Sequence, residues 1–337
     1  MLAEPPFSIL DSFNRVDDAI DANADVADSI LEVALLNFGL SWESDPNDPT
    51  RHWHSTATQT DVSKAHMTIR QFYRDWSVEG SRERQVCYEP VIGDLRDEFA
   101  AAANRGEVRV LVPGAGLGRL VFDACLEGFS VEGNELSYHQ LFASSWALNY
   151  TQGAQSHAVY PFALNFSNLV NRNQQLAKTM IPDVHPASAM LALMEGGGNM
   201  GSMSMAAGEF VQIYSDVSHR ETFDAIATVF FIDTASNPIR YIETIHHSLK
   251  PNGIWINVGP LLWHFSEERQ QQQETDDPGN VELTEDEVIQ LLERMGFWME
   301  KRVPEEDLAE CGYIQDPQSM LQNLYRPSHW VARKVKS

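Results

Sequence analysis

Within the stretch VLVPGAGLGRLV at residues 110–121, Gly114, Gly116 and Gly118 separate a strand-like apolar run from one with helical spacing. A strand that passes into a helix through glycines can turn tightly and let its backbone approach a ligand, because no Cβ stands in the way. Glu135 closes the next apolar run, FSVEGNE, 21 residues after Gly114. A carboxylate at that distance can accept hydrogen bonds from both ribose hydroxyls of an adenosine. Turn and carboxylate together favour an adenosine-containing cofactor over a plain strand-to-helix connection. Glu135 as a cap for the helix that follows is compatible with the same residues.

The spacing narrows the cofactor. Dinucleotide enzymes carry G-x-G-x-x-G, whose third glycine packs helix closely on strand around a pyrophosphate; here that position is Arg119. No Gly-Lys-Ser/Thr follows, so P-loop chemistry is not indicated. The glycines run G-x-G-x-G, the pattern of S-adenosylmethionine-dependent methyltransferases, whose cofactor has no phosphate to cradle.

Positioning such a turn requires alternating strands and helices. From residue 108, VRVLVP, LGRLVFDACLEG, FSVEGNE and LSYHQLFASSWALNY read as strand, helix, strand, helix, and FDAIATVFFID, PIRYIETIHHSLKPNG and IWINVGP repeat the rhythm. The fold class is therefore α/β, with a mainly parallel sheet and helices on both faces. SMSMAA, WMEKRV and SHWVARKV supply further short strands, and TEDEVIQLLERMGF is a helix opened by a Thr284/Glu287 capping box. Residues 266–280 are polar and low in complexity and read as a surface loop; the glycine-rich start of MEGGGNMGSMSMAAG reads as a flexible insertion. The first hundred residues are helical: Asp25–Leu40 stopping near Gly39, Val62–Glu79 stopping at Gly80, and Ser81–Asn104, kinked or split by Pro90.

Bulk composition sets the outer bounds. The chain has 337 residues, 43% hydrophobic and 10% aromatic, which is a globular composition. Its 48 acidic against 24 basic side chains give a formal charge of −24. Such a surface repels phosphate backbones and anionic lipid, so neither nucleic acid nor membrane is the expected partner; acidity that serves only solubility is the simpler account of the charge. Cys87, Cys125 and Cys311 are odd in number and widely spaced, with neither a disulfide framework nor a zinc pattern. His246 and His247 are helix neighbours pointing different ways, and no metal is expected. The N-terminus has no basic start and apolar core, and no run reaches the roughly 18 apolar residues of a membrane helix. A cytoplasmic location, with the nucleus also open to it, is the expectation.

VLVPGAGLGRL, VEGNELS, AGEF, FFIDTA and GIWINVGPLLWHF, in that order after QFYRDWSVEG, make the chain from about residue 60 to its end similar to the carnosine N-methyltransferase family. The resemblance implies a Rossmann-like seven-stranded sheet preceded by a helical region, and methyl transfer from S-adenosyl-L-methionine to an imidazole nitrogen of carnosine, a histidine-containing dipeptide, giving anserine. It divides the chain into a helical N-terminal region over 1–106 that contributes to the cofactor site and a methyltransferase domain over 107–337, with flexible insertions near 194–202 and 266–280. The cofactor contacts carried over are Gln71, Arg74, Gly114, Gly116, Glu135, Glu209 and Phe210. Gln71 and Arg74 lie on one helix face, where a solvent-facing polar stripe is the alternative. Arg74 suits the methionyl carboxylate, since a guanidinium forks to two oxygens. The family usually has Asp where Glu209 stands, and Phe210 fits an adenine face or a core position.

The acceptor residues carried over are Asp233 in FFIDTA, His264 in GPLLWHF and Tyr325 in LQNLYRPSHW. A nucleophilic imidazole nitrogen needs its lone pair, so the ring must be neutral with its proton on the other nitrogen. A carboxylate at that second nitrogen selects the tautomer and stabilises the ring as it becomes cationic; Asp233 is the first candidate, with a helix N-cap as its alternative. His264 would hydrogen-bond the dipeptide or accept a proton, and Tyr325 would present ring and hydroxyl to it, or serve as a core tyrosine. IDTA is not the Asn/Asp-Pro-Pro-Tyr tetrad of enzymes acting on amide or adenine nitrogens. Histidine in another peptide or protein, or a non-catalytic cofactor-binding module, are the alternatives on sequence, and a homodimer stays open.

Overall fold

The structure, a computed structural model, describes residues 2–43, 47, 56–263 and 281–335. In chain order its elements are α1 (Ile9–Phe38), α2 (Gln59–Trp76), α3 (Ser81–Cys87), α4 (Glu89–Glu98), β1 (Arg109–Pro113), α5 (Arg119–Leu126), β2 (Ser130–Glu135), α6 (Tyr138–Asn149), β3 (His157–Val159), α7 (Arg172–Gln175), β4 (Thr179–Ile181), α8 (Pro186–Glu195), β5 (Met203–Ala207), α9 (Phe210–Tyr214), β6 (Phe223–Val229), α10 (Pro238–Ser248), β7 (Leu249–Gly259), α11 (Glu285–Arg294), β8 (Phe297–Arg302) and β9 (Ser328–Lys334).

By its contacts the chain divides into two compact units, one of Met1–Glu83, Tyr138–Ala189 and Gly312–Asn323, the other of Arg84–Ser137, Met190–Cys311 and Leu324–Ser337. This is a different division from the expected one at 106/107. Val91, Ile92 and Leu95 of α4 pack into the sheet's core, so α4 goes with the second unit, whereas α6 packs on α1 and α2 in the first.

In the first unit, α1 runs 30 residues and ends at Gly39, whose φ of 63° is the left-handed stop the sequence predicts. It begins at Ile9 rather than Asp25, because Val16 and Ala19 extend the buried stripe of Val26, Ile30, Val33 and Ala34. A Thr58/Asp61 capping box opens α2, with Asp61 N donating to Thr58 Oγ1 over 3.2 Å and Thr58 N to Asp61 Oδ2 over 2.8 Å. Its apolar side meets α6 through Phe72 and Trp146, edge to face at 5.5 Å. The segment 150–185 holds an antiparallel pair, β3 with β4, that sequence reading missed. Asn23 of α1 latches that segment by accepting from Tyr160 N (2.8 Å) and donating to Tyr160 O (3.1 Å).

The second unit carries a seven-stranded sheet in the order β5-β2-β1-β6-β7-β9-β8. Pairing is parallel from β5 to β7; β9 runs antiparallel to both β7 and β8. The pleat sends alternate residues to opposite faces. Val110 and Val112 of β1, Ala225 and Ala227 of β6 and Ile254 and Ile256 of β7 face α4 and α5, while Leu111, Ile226 and Trp255 face α9, α10 and α11. This is a Rossmann-like architecture, and it aligns the carboxyl ends of the parallel strands along one edge, where open α/β sheets bind ligands.

Pro90 splits the third predicted helix into α3 and α4, entering α4 in its first turn, where its missing N–H costs nothing. The Thr284/Glu287 capping box opens α11 as predicted. In the 194–202 stretch, α8 reaches Glu195, Gly198 N bonds Leu193 O at 2.9 Å, and Gly201 N bonds Cys125 O at 3.0 Å. The 266–280 loop and His264 lie outside the described residues. Among the described residues no helix is long and apolar enough to cross a membrane, and no cluster of three or more His, Cys, Asp or Glu is placed to hold a metal.

Candidate active site

The turn after β1 needs all three of its glycines. Gly114, Gly116 and Gly118 have φ of 66°, 57° and 76°, the left-handed region in which a Cβ is strained. At Gly114 a Cβ would also stand 2.6 Å from Cδ2 of Phe231. Gly118 is the N-cap of α5, and Arg119, the residue that departs from the dinucleotide pattern, pairs with Asp123 one turn on at 2.9 Å.

Glu135 closes over this turn from β2. Its Oε2 accepts from Gly116 N at 3.0 Å, its Oε1 from Ser137 N at 2.8 Å, and its backbone O from Gly208 N at 3.0 Å. Glu135 thus holds the N–H just before α6, as its capping alternative has it, and also the Gly116 N–H of the glycine turn.

Sequence reasoning passed over two supports of this corner. Gly133, one pleat before Glu135, lies where a Cβ would meet Met205 Sδ at 2.5 Å, Val121 Cγ2 at 2.8 Å and Ala115 Cβ at 2.9 Å. Asn134, 2% exposed, donates through Nδ2 to Ala206 O (3.3 Å) and Gly208 O (3.0 Å), tying β2 to the end of β5. The signal for both was present in VEGNE, where a glycine and a buried amide interrupt a strand that otherwise reads as apolar.

Glu209 and Phe210 follow directly. Glu209 is the N-cap of α9, its Oε2 accepting from Gln212 N at 2.7 Å. Phe210 is 3% exposed and packs edge to face on Phe231 (5.4 Å) and Tyr241 (5.4 Å), in the core role that was its alternative.

At the carboxyl end of β6 the chain makes a short 3-10 turn, Ile232–Thr234, which holds Asp233. The N-cap of α10 is Asn237, which removes the capping alternative for Asp233. Asp233 is 1% exposed, and its Oδ2 accepts from Leu262 N at 2.9 Å. That bond ties β6 to the segment following β7, which continues toward His264. Tyr325 is half-buried just before β9; its backbone pairs in both directions with Cys311 (2.9 and 2.8 Å) and its ring meets that of Phe230. The second unit thus brings Gly114, Gly116, Glu135, Glu209, Phe210, Asp233 and Tyr325 to the carboxyl edge of one sheet.

Gln71 and Arg74 belong to the first unit. Both are buried, at 8% and 4% exposure, so the solvent-facing stripe is overturned. Gln71 Nε2 donates to Asp75 Oδ2 at 3.3 Å, and the Arg74 guanidinium lies 4.7 Å above the Tyr313 ring.

Beside the acceptor edge, Asp94 of α4 receives His329 Nε2 at 2.7 Å and Lys301 Nζ at 2.5 Å. Burial works to raise this carboxyl, but the bonds from His329 and Lys301 outweigh it and hold the acid below the ordinary carboxylate range.

Comparison with known proteins places this geometry. A family model described as carnosine N-methyltransferase matches residues 51–336. The carnosine N-methyltransferase of Schizosaccharomyces pombe is 35% identical over 340 residues, covering 100% of this chain and 86% of that protein. The chain belongs to the carnosine N-methyltransferase family. The rat member, from Rattus norvegicus, is 37% identical over 279 residues, covering 82% of this chain and 64% of that protein, and the Drosophila melanogaster member, named carnosine N-methyltransferase unmet, is 35% identical over 274 residues, covering 81% and 56%. The chain therefore spans less than two thirds of these two animal relatives.

The family's methyl donor is S-adenosyl-L-methionine, and the residues present fit it. The three left-handed glycines leave a cradle that side chains would fill, the Glu135 carboxylate is bonded to the Gly116 N–H of that cradle, and the turn carries no phosphate-binding Gly-Lys-Ser/Thr.

Proposed function

We propose that this chain transfers the methyl group of S-adenosyl-L-methionine to an imidazole nitrogen of carnosine, giving anserine. The observation that carries the reading is Asp233, a carboxylate 1% exposed at the carboxyl end of β6 and fixed by the Leu262 N–H. In the family the matching aspartate binds the acceptor.

When bound, the cofactor supplies an electrophilic sulfonium methyl, so what the chain must provide is alignment, exclusion of water and a proper protonation state of the acceptor. Glu135 receives ribose hydroxyls beside the Gly114–Gly118 turn. Asp233 accepts the N–H of one imidazole nitrogen. That bond fixes the tautomer in which the other nitrogen holds its lone pair, and the same charge stabilises the ring as it turns cationic. A buried carboxylate serves this purpose well, because few solvent dipoles compete for it. Tyr325 bounds the dipeptide from the β9 side, and the resemblance gives His264 a contact with it. The proton leaves the ring once it is methylated, passing through Asp233 to solvent.

Asp233→Asn tests the assignment. The amide keeps the shape and loses the charge, so kcat for carnosine methylation should fall about 100-fold to 1000-fold, the range seen when one preorganised electrostatic contact is lost. Affinity for S-adenosylhomocysteine should stay within about twofold, below the roughly 1.4 kcal/mol that makes a tenfold change. Wild-type turnover in this variant would remove Asp233 from the chemistry.

A further inference from the structure

The two phenylalanines that end β6 leave the strand on opposite faces. Along β6, Ala225, Ala227 and Val229 face α4 and α5, while Ile226 faces α9 and α10. Continued alternation would carry residue 230 to the α9 and α10 side. Phe230 instead packs with Val229 on the α4 and α5 side, and Phe231 goes to the opposite face.

The backbone shows how. Phe230 has φ of 52°, a left-handed conformation that is strained for an aromatic residue, and its N–H still bonds Val258 O at 3.0 Å. Gly259 accommodates the bend, since a Cβ there would stand 3.0 Å from Phe230 N. The two rings then have separate neighbours. Phe231 lies against Gly114 of the cofactor turn and against Phe210 and Tyr241. Phe230 meets Tyr325, ring centroids 5.7 Å apart at an interplanar angle of 86°, an edge-to-face pair.

We propose that Phe230 is a positioning residue for the methyl acceptor, acting through Tyr325. The inference rests on Tyr325 lining the acceptor site. The Tyr325 backbone is already held by its two hydrogen bonds to Cys311, which leave the ring free to turn about its side-chain bonds; the perpendicular Phe230 ring limits that rotation. Strain at residues 230 and the adjoining turn is then the cost of placing one aromatic on the cofactor side and one on the acceptor side of Asp233.

The test is a double-mutant cycle in the full chain, with KM for carnosine and S-adenosylhomocysteine affinity by calorimetry as separate readouts. Phe230→Ala should raise KM for carnosine about tenfold and leave S-adenosylhomocysteine affinity within about twofold, with Phe230→Tyr close to wild type and Phe230→Leu, which keeps apolar volume, in between. In a Tyr325→Ala background the Phe230→Ala change should add nothing further. Equal effects of Phe230→Ala in both backgrounds, or a parallel loss of S-adenosylhomocysteine affinity, would show a core residue and overturn the proposal. If Tyr325→Ala alone leaves KM for carnosine unchanged while Asp233→Asn still abolishes turnover, the Tyr325 link fails and the methyltransferase reading stands.

Discussion

At the scale of single residues, the cofactor turn depends on backbone conformation and on one carboxylate. Gly114→Ala places a Cβ at a φ of 66° and against Phe231. A left-handed L-residue costs about 1–2 kcal/mol before the clash is counted, so affinity for S-adenosylhomocysteine measured by calorimetry should fall about tenfold or more. At Glu135 both oxygens accept backbone N–H groups, from Gly116 and Ser137. Whichever way Glu135→Gln orients its amide, one N–H meets another N–H. With a charged hydrogen bond worth about 1.5–3 kcal/mol, the same calorimetric measurement should show affinity lowered about 10-fold to 100-fold. The turn was legible in sequence because its glycines follow a strand and open a helix, with a carboxylate closing the next strand. Phe230 was not, because its departure from the β6 alternation is a backbone event that the apolar pair FF does not reveal. The burial of Gln71 and Arg74 was not legible from their helix alone, which also allowed a solvent-facing stripe, since it comes from packing among distant segments.

At the scale of elements, much of the alternating part of the chain was readable, β1, α5, β2, α6, β6, α10 and β7 following in the order their periodicities predict. What escaped were β3 and β4, three residues each, paired across a loop that gives no hairpin signal, and the first half of α1, whose buried stripe is spaced among acidic residues. The contacts that join elements give the next predictions. Gly133→Ala should push β2 off the turn and β5, since its Cβ would meet Met205, Val121 and Ala115. A loss of about 1–3 kcal/mol, the usual cost of overpacking, should appear as a lower melting temperature together with weaker S-adenosylhomocysteine binding. Asp94 joins α4 to β8 and β9 through Lys301 and His329. Its folded-state pKa lies below the ordinary value of 3.8, so its stabilisation is fully present above that value and is lost as pH falls through the depressed one. Asp94→Asn should therefore cost about 1–3 kcal/mol at neutral pH, and the difference from wild type in denaturant titrations should shrink as the pH is taken below about 4.

At the scale of the whole molecule, the formal charge of −24 bears on the acceptor. Carnosine with a neutral imidazole carries one positive and one negative group, so a long-range acidic field neither steers nor repels it. Its kcat/KM should change by less than about twofold between low salt and 0.5 M salt, where the screening length drops from tens of ångströms to a few. Composition alone did not reach this far; the acceptor was named by the family resemblance, and the structure adds that Asp233 and Tyr325 stand at the same sheet edge as the glycine turn. The most direct measurement of the central claim is product analysis by mass spectrometry and NMR after incubating the chain with methyl-labelled S-adenosyl-L-methionine and carnosine, beside a panel of other histidine dipeptides. One labelled methyl on an imidazole nitrogen of carnosine, formed about 100-fold to 1000-fold more slowly by Asp233→Asn, is the predicted result. Labelling of the β-alanyl amine, or no transfer to any imidazole by protein that still binds S-adenosylhomocysteine, would contradict it.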